Sequence, residues 1–388
     1  MNRDSCMKLI YCIHSVCNPG GMERVLSNKV TWLVRNMGWD VSVVTTDQNG
    51  LPPFYVFPES VRMIDLGINY SEDNGRKPLL KIAGYLRKRR LHKKRLTELL
   101  LREKADIVIS LYPSESSFIP DIKDGSRKVL ELHYNRYFRL QYARKGILGI
   151  IDRWRTWQDE KIVRRFDRFV VLSNEDKGYW GDIPGMEVIP NAALDMGDEL
   201  SSVSEKRVLV VGRLDYQKGF DRLVEAWRMI QGTGKFRDWR LDIFGQGEWH
   251  DMLQAMIDKY GLGASMRLNG PVKDIRNEYL HSSMLVMSSN YEGFPMVMVE
   301  AMSCGLPVVS FDFKCGPKDI IRDGKNGILV SNGNIRSLAD AMMGLMSDWE
   351  RRKSMSAEAR KVVDTYSEST IMRKWIRLFV GLEREERD

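Results

Sequence analysis

Met284-Leu-Val-Met-Ser-Ser-Asn-Tyr-Glu292-Gly-Phe-Pro-Met-Val-Met-Val-Glu300-Ala-Met-Ser-Cys-Gly-Leu-Pro-Val-Val-Ser-Phe-Asp312 reads as strand, tight loop, helix and strand. Met284 to Met287 is a short apolar run of the kind a parallel strand covered on both faces requires. Pro295 suits the first helical position, where a missing N–H costs nothing, and Gly305 suits the left-handed residue that ends a helix. Leu306 to Phe311 is the next buried strand. A loop in this setting turns backbone N–H groups outward from the carboxyl end of a strand, which makes an anion site. Two acids bracket it, Glu292 in the loop and Glu300 in the helix. Helical side chains lean back toward the N-terminus, so both acids are expected to border one small ligand.

The same alternation of strand and helix runs through the rest of the second half. Arg207 to Leu214 reads as a strand, Asp215-Tyr-Gln-Lys218-Gly219 as its loop and Phe220 to Ile230 as a helix. Arg213 and Lys218 flank that loop on the same carboxyl side as Glu292. Two fixed cations there would neutralise a diphosphate as it leaves. Leu241 to Phe244 is a strand followed by Gly245-Gln-Gly247 and a helix from Glu248 to Tyr260. A lone G-x-G is a weak signal, and Gly247 has a sufficient role in easing strand-to-helix packing.

Glu292 and Glu300 with seven residues between them inside E-G-F-P, together with Gly212-Arg213 and Lys218-Gly219 in a G-R-x-x-x-x-K-G pattern, resemble the signatures of retaining GT-B glycosyltransferases of family 4. The resemblance implies an α/β chain of two Rossmann-like domains facing across a cleft, with a sugar nucleotide held mainly by the second. Carried over, Glu292 touches the donor sugar hydroxyls and Glu300 the ribose. The diphosphate lies on Gly293, Phe294, Pro295, Met296 and Val297, between Arg213 and Lys218. Gly247 borders the donor groove, and Gly270-Pro-Val272-Lys273 meets the nucleobase. Lys314-Cys-Gly-Pro-Lys is frequent among relatives that use UDP-sugars, which favours uridine over guanine. No Asp-x-Asp pair occurs, so neither a metal nor another cofactor is expected. The helix dipole and the two cations would do the electrostatic work of a divalent ion.

The first half is looser. Lys8 to Ser15 is a strand, Asn18-Pro-Gly20-Gly21-Met-Glu23 a loop and Arg24 to Met37 a helix. The two glycines permit positive φ and close backbone approach, and they resemble the family's N-terminal Gly-Gly loop near the donor phosphates and the acceptor. Further strands are expected at Trp39–Thr45, Val61–Leu66, Ala105–Leu111 (with Tyr112-Pro113 leaving it), Lys128–His133, Phe169–Leu172 and Met186–Pro190. His133 ends its strand, where family members carry a His near the reacting centre. Arg136 and Arg139 follow, toward the acceptor. Residues 1–192 are read as the acceptor domain, 193–204 as a polar linker and 205–369 as the nucleotide domain. The helix in 370–388 is expected to pack back on the first domain.

Charge separates the halves. Residues 1–195 carry 32 Lys and Arg against 24 Asp and Glu, whereas 196–388 carry 28 of each, so the net +8 lies wholly in the first half. From Arg87 to Arg95 only Leu91 and His92 are not Lys or Arg. Leu79, Ile82, Ala83, Leu86, Leu96, Leu99 and Leu100 give the surrounding segment an apolar stripe at helical spacing. The Tyr85–Arg95 helix is therefore read as docking on an anionic membrane surface or gripping an acceptor's diphosphate. Nucleic acid is not expected, because no recognition-helix or RNP-like pattern accompanies the charge. Five cysteines without a C-x-x-C pair read as a reducing compartment. No long apolar run reads as a membrane span or signal peptide.

The expected enzyme is cytoplasmic and peripheral on the inner face of the cell membrane. It moves a hexosyl or N-acetylhexosaminyl group from a UDP-sugar to a lipid-linked or polysaccharide acceptor in bacterial surface glycan assembly. A GT-B-like UDP-sugar epimerase and a non-catalytic membrane subunit are the alternatives, and turnover of a sugar nucleotide separates them.

Overall fold

In the computed structural model, which describes residues 6–73, 75, 77–111, 114–141 and 146–384, two sheets account for the strands. The first contains β1 (Lys8–Cys12), β2 (Asp40–Thr45), β3 (Arg62–Asp65), β4 (Ile107–Ser110), β5 (Arg127–Glu131), β6 (Arg168–Val171) and β7 (Met186–Val188). Their order is β3-β2-β1-β4-β5-β6-β7, all parallel. The second contains β8 (Arg207–Val211), β9 (Arg240–Phe244), β10 (Met266–Leu268), β11 (Met284–Met287), β12 (Val308–Asp312) and β13 (Gly327–Ser331). Its order is β10-β9-β8-β11-β12-β13, again parallel. Each sheet is of the doubly wound Rossmann type. The direction of winding reverses between β1 and β4 in one and between β8 and β11 in the other, and such reversals are where open α/β sheets bind ligands.

The chain divides into unit 1 (Met1–Leu172, Lys177–Ile189, Met372–Asp388) and unit 2 (Ser173–Asp176, Pro190–Ile371). The central strands read as apolar runs because helices cover both faces. Leu9, Ile10, Ile109, Val129, Phe169, Leu209, Leu285 and Val309 are all fully buried. Three helices of unit 1 matter below: α1 (Gly21–Met37), α2 (Pro78–Glu103) and α3 (Gly146–Val163). The last helix, Glu368–Arg384, buries Trp375, Phe379 and Leu382 in unit 1, with Phe379 edge-on to Trp39 at 6.0 Å.

Several expectations change. Residues 193–204 are not a free linker. Ala193, Met196, Ser201 and Val203 are buried in unit 2, the Ser201 N–H donates to Cys304 O, and Arg352 Nε donates to Val203 O. Small polar residues lie flat there because the neighbouring backbone completes their hydrogen bonds. The helix expected over 351–366 is interrupted at Lys361, giving Trp349–Arg360 and Val362–Tyr366. Short helices at Asn174–Trp180 and Ile275–Leu280 have too few turns to leave a periodic signal. Tyr112-Pro113 lies outside the described residues.

The stripe on α2 splits. Leu96, Leu99 and Leu100 are buried, but Ile82, Ala83 and Leu86 are exposed. The charge run also proves partly structural. Lys88 pairs with Asp73 at 3.2 Å, Arg89 donates to Ser117 Oγ, and Arg95 donates to the carbonyls of Leu66 and Gly67. Arg87, Arg90 and Lys93 have no partner among the described residues.

Candidate functional site

The loops that leave β8 and β11 meet at the winding reversal of unit 2. Lys218 Nζ lies 2.7 Å from Glu292 Oε1, which also accepts from Ser289 Oγ at 2.8 Å. The other carboxylate oxygen accepts from Gln217 Nε2 at 3.0 Å. Gln217 Oε1 in turn accepts from Arg213 Nη2 at 3.0 Å, and Arg213 also pairs with Asp215 at 3.3 Å. Arg213, Gln217, Glu292 and Lys218 thus form one chain of contacts. Glu292 and Lys218 are sheltered within it, whereas the Arg213 side chain is 70% exposed. The ammonium has three N–H donors, so its bond to Glu292 leaves two for an incoming oxyanion.

Backbone geometry sets this arrangement. Gly219 adopts φ +60 at the start of the helix Phe220–Gly232, and a Cβ there would lie 2.5 Å from Ser288 O. Only glycine allows the Lys218 turn to lie this close to the end of β11. Gly247 serves similarly, since a Cβ on it would lie 2.4 Å from Leu214 O. Its absence of a side chain is what lets Leu214 N–H reach Gln246 O and Trp249 N–H reach Leu214 O.

Pro295 stands just before the helix Met296–Ser303 as its N-cap residue rather than inside it, with Met296 and Val297 as the first partly exposed turn. Gly293 is half-buried, and Phe294 packs beside Tyr366 at 5.6 Å. Gly305 takes φ +78, as a helix stop requires. Glu300 is 2% exposed and accepts from the Tyr279 hydroxyl at 3.3 Å. Val272 is exposed beyond the carboxyl end of β10. The structure therefore joins Lys218 to Glu292 directly, links Arg213 to them through Gln217, and gives Glu300 a separate partner. Gln217, Ser289 and Tyr279 escaped the sequence reading. Gln217 falls on an unspecified position between Arg213 and Lys218, and its amide could have been noticed only from its place in the loop.

At the reversal in unit 1 lies a cleft of about 770 Å³. Its walls include His14 and Glu23 after β1, Ser116 after β4, Arg89 on α2, and Trp154 and Asp159 on α3. Gly20 and Gly21 lie between the wall residues Asn18 and Met22 and do not use the positive φ that glycine permits. Gly20 is extended at φ −80 and Gly21 is already helical. What Gly20 supplies is room, because a Cβ would lie 2.0 Å from Glu23 Oε2. Arg139 holds Asp159 at 3.2 Å, while Arg136 is tied to Glu160 at 2.9 Å.

His133 Nε2 lies 3.1 Å from Glu131 Oε1, which also pairs with Lys29 of α1. The Lys29 ammonium sits 3.7 Å from the Trp375 ring centre. A carboxylate accepts only, so the His133 proton resides on Nε2. Burial opposes charge on Glu131, but Lys29 and His133 hold its pKa down to about 2. The same burial draws Lys29 below the usual lysine range.

Glu115 is different. Burial raises its pKa to about 7, with Ser110 Oγ donating to it at 2.7 Å. A carboxyl raised from about 4.3 when unfolded stabilises the fold fully below that value, and the contribution is lost as pH rises through about 7. Wild type is therefore expected to lose about 3 kcal/mol of unfolding free energy between pH 4.5 and 8 that Glu115→Gln does not lose. Urea titrations across that range measure it, and parallel pH profiles for the two proteins would refute it.

A model for glycosyl transferases group 1 matches residues 194–362, and a model for glycosyltransferase family 4 matches residues 19–193. Together they span most of the chain, which belongs to this glycosyltransferase family. The amylovoran biosynthesis glycosyltransferase AmsD of Erwinia amylovora is 27% identical over 386 residues, covering 95% of this chain and 98% of that one. The poly(ribitol-phosphate) α-N-acetylglucosaminyltransferase of Staphylococcus aureus is 32% identical over 177 residues, 45% of this chain and 36% of its own. Among solved structures, a variant of S. aureus TarM in complex with fondaparinux, α-GlcNAc-glycerol and UDP superposes with a TM-score of 0.75 at 18% identity, covering 96% of this chain and 99% of that one. The fold is accordingly GT-B, and the chain is a glycosyltransferase.

Proposed function

We propose that this chain is a retaining glycosyltransferase that moves a hexosyl or N-acetylhexosaminyl group from a UDP-sugar to a lipid-linked or polysaccharide acceptor in bacterial surface glycan assembly. The observation that carries the proposal is the Lys218–Glu292 pair at the winding reversal of unit 2, with Gln217 joining it to Arg213. In this reading Lys218 and Arg213 bind the diphosphate, and the start of the helix Met296–Ser303 adds its N–H groups and dipole. Glu292 orients the sugar hydroxyls and Glu300 the ribose. No metal is required, because these groups stabilise the charge that builds on the departing phosphate. The bond from the sugar carbon to the phosphate oxygen breaks as the acceptor oxygen attacks the same face, and the acceptor proton passes to the departing diphosphate.

The acceptor is assigned to the unit 1 cleft, whose wall includes Tyr134, next to His133, which Glu131 fixes just beyond β5. Two relatives named for amylovoran synthesis and for poly(ribitol-phosphate) glycosylation support a polysaccharide or phosphate-bearing acceptor. The UDP present with TarM supports uridine. Thermal-shift screening checks the donor: UDP and UDP-hexoses are expected to raise the melting temperature by several degrees, in EDTA as well as without it, and GDP-mannose to leave it unchanged. Stabilisation by GDP-mannose alone would overturn the donor class.

The enzyme is further assigned to the anionic inner face of the membrane through α2. No helix among the described residues is long and apolar enough to cross a bilayer. Each near-surface cation contributes about 1 kcal/mol toward an anionic membrane, and Arg87, Arg90 and Lys93 are available for it. Changing all three to Gln is expected to lower binding to anionic vesicles at low salt by about a hundredfold or more. Unchanged co-sedimentation would remove the electrostatic docking.

A further inference from the structure

In unit 1, the middle of α3 turns apolar side chains outward. Asp152, Thr156 and Asp159 are buried there, with Gly149 before them and Val163 at the end of the helix, while Ile150, Trp154 and Trp157 are 61%, 53% and 52% exposed, with Ile151 beside them. Ile150, Trp154 and Trp157 are spaced i, i+4 and i+7, so they share one face of the helix. Two of the inward polar groups have defined partners: Thr156 Oγ1 donates to Asp152 O at 2.8 Å and Arg139 holds Asp159. A helix facing water on that side would ordinarily carry the opposite pattern. The first half of α2 is similar, with Leu80, Ile82, Tyr85 and Leu86 exposed. Both helices border the same cleft, α2 through Lys81, Tyr85 and Arg89 and α3 through Trp154 and Arg155.

We infer that these two helix faces form a surface that inserts into an anionic lipid bilayer, with the apolar side chains entering the acyl boundary and the surrounding cations meeting the headgroups. Two properties select that occupant. Trp and Tyr beside aliphatic residues suit the layer between headgroup and acyl chain, where an amphipathic ring satisfies both environments. The cations that rim the patch, Arg87, Arg90 and Lys93 on α2 and Arg153 and Arg155 on α3, have no partner among the described residues. A second copy would bring the same sign of charge against them, whereas an anionic bilayer brings the opposite sign. The inference extends the reading of α2 from charge alone to insertion. Its test reads binding and not turnover, so it stands or falls apart from the sugar-transfer reading.

The test is flotation of the full chain with vesicles of phosphatidylglycerol and phosphatidylethanolamine at about 0.1 M and about 0.5 M NaCl, the latter to screen charge. Wild type is expected to remain partly bound at the higher salt and to show a blue shift of tryptophan emission. Ile150→Ser with Trp157→Ser is expected to lower the partition coefficient about tenfold and to be released by salt. Ile150→Leu with Trp157→Phe is expected to bind as wild type does. Full release of wild type by salt, or equal partitioning of the Ser pair, would overturn insertion. So would a concentration-dependent dimer in sedimentation velocity that the Ser pair abolishes. Circular dichroism and UDP binding of the variants, both expected unchanged, separate loss of the surface from loss of the fold.

Discussion

Lys218→Ala is expected to lower kcat about a hundredfold or more, the range seen when one fixed charge-stabilising donor is removed from an active site. Two effects act in the same direction. The substitution deletes a cation that would face the departing diphosphate. It also leaves Glu292, 6% exposed, without the ammonium 2.7 Å away, so that an uncompensated negative charge confronts an anionic substrate. Lys218→Arg is not expected to rescue activity. The Lys218 stem lies against Gly212, whose Cβ would be 2.9 Å from Cε, and a guanidinium has a different shape and reach. Arg213→Ala is expected to cost less, because Arg213 is largely exposed and reaches Glu292 only through Gln217. Steady-state transfer with a UDP-sugar and a glycan acceptor measures all three. A Lys218→Ala enzyme within a few-fold of wild type would end the assigned role.

Glu131→Gln is expected to destabilise unit 1 by about 3–5 kcal/mol, the usual consequence of removing one partner from a buried ion pair. Lys29 is 5% exposed and would be left against Trp375 with no counter-ion, having either to hold an unpaired buried charge or to give up its proton. The pH dependence has a definite sign. Glu131 has its pKa depressed to about 2 in the folded protein, so its contribution is present above the unfolded value of about 4.3 and lost as pH falls through about 2. Wild type and Glu131→Gln should therefore differ most near neutral pH and converge in strong acid. Replacing Lys29 by Met together with Glu131 by Leu should recover part of the loss, because a matched apolar pair leaves no buried charge. Denaturant midpoints at neutral and acid pH measure this. An unchanged midpoint at neutral pH would show that the pair contributes nothing to stability.

What could be read from the chain follows from what each signal depends on. The strands of unit 2 and the loop containing Glu292 were legible because buried parallel strands are short apolar runs separated by glycine and proline at fixed positions. Arg213 and Lys218 are legible as a pair because they flank the loop between a strand and a helix and match the G-R-x-x-x-x-K-G pattern of the family resemblance. Gln217 was not, because an amide bridging two charges is defined by geometry that no periodicity records. Of the two freedoms that the glycine pair permits, positive φ is not the one used at Gly20. Its φ is ordinary, and the room it leaves for Glu23 depends on how α1 begins. The cationic run on α2 looked uniformly exposed. Distant partners, Asp73, Ser117 and the carbonyls after β3, turn part of it into structure. The outward apolar face of α3 was missed because its composition resembles that of any half-buried helix. Only burial, position by position, distinguishes the two orientations.

The most direct test of the central claim is a crystal structure of the full chain with UDP. The diphosphate is expected to lie within hydrogen-bond reach of Lys218 and of the N–H groups at the start of Met296–Ser303, with the ribose on Glu300. A nucleotide bound elsewhere on unit 2, with Lys218 still committed to Glu292 and no phosphate beside it, would contradict it.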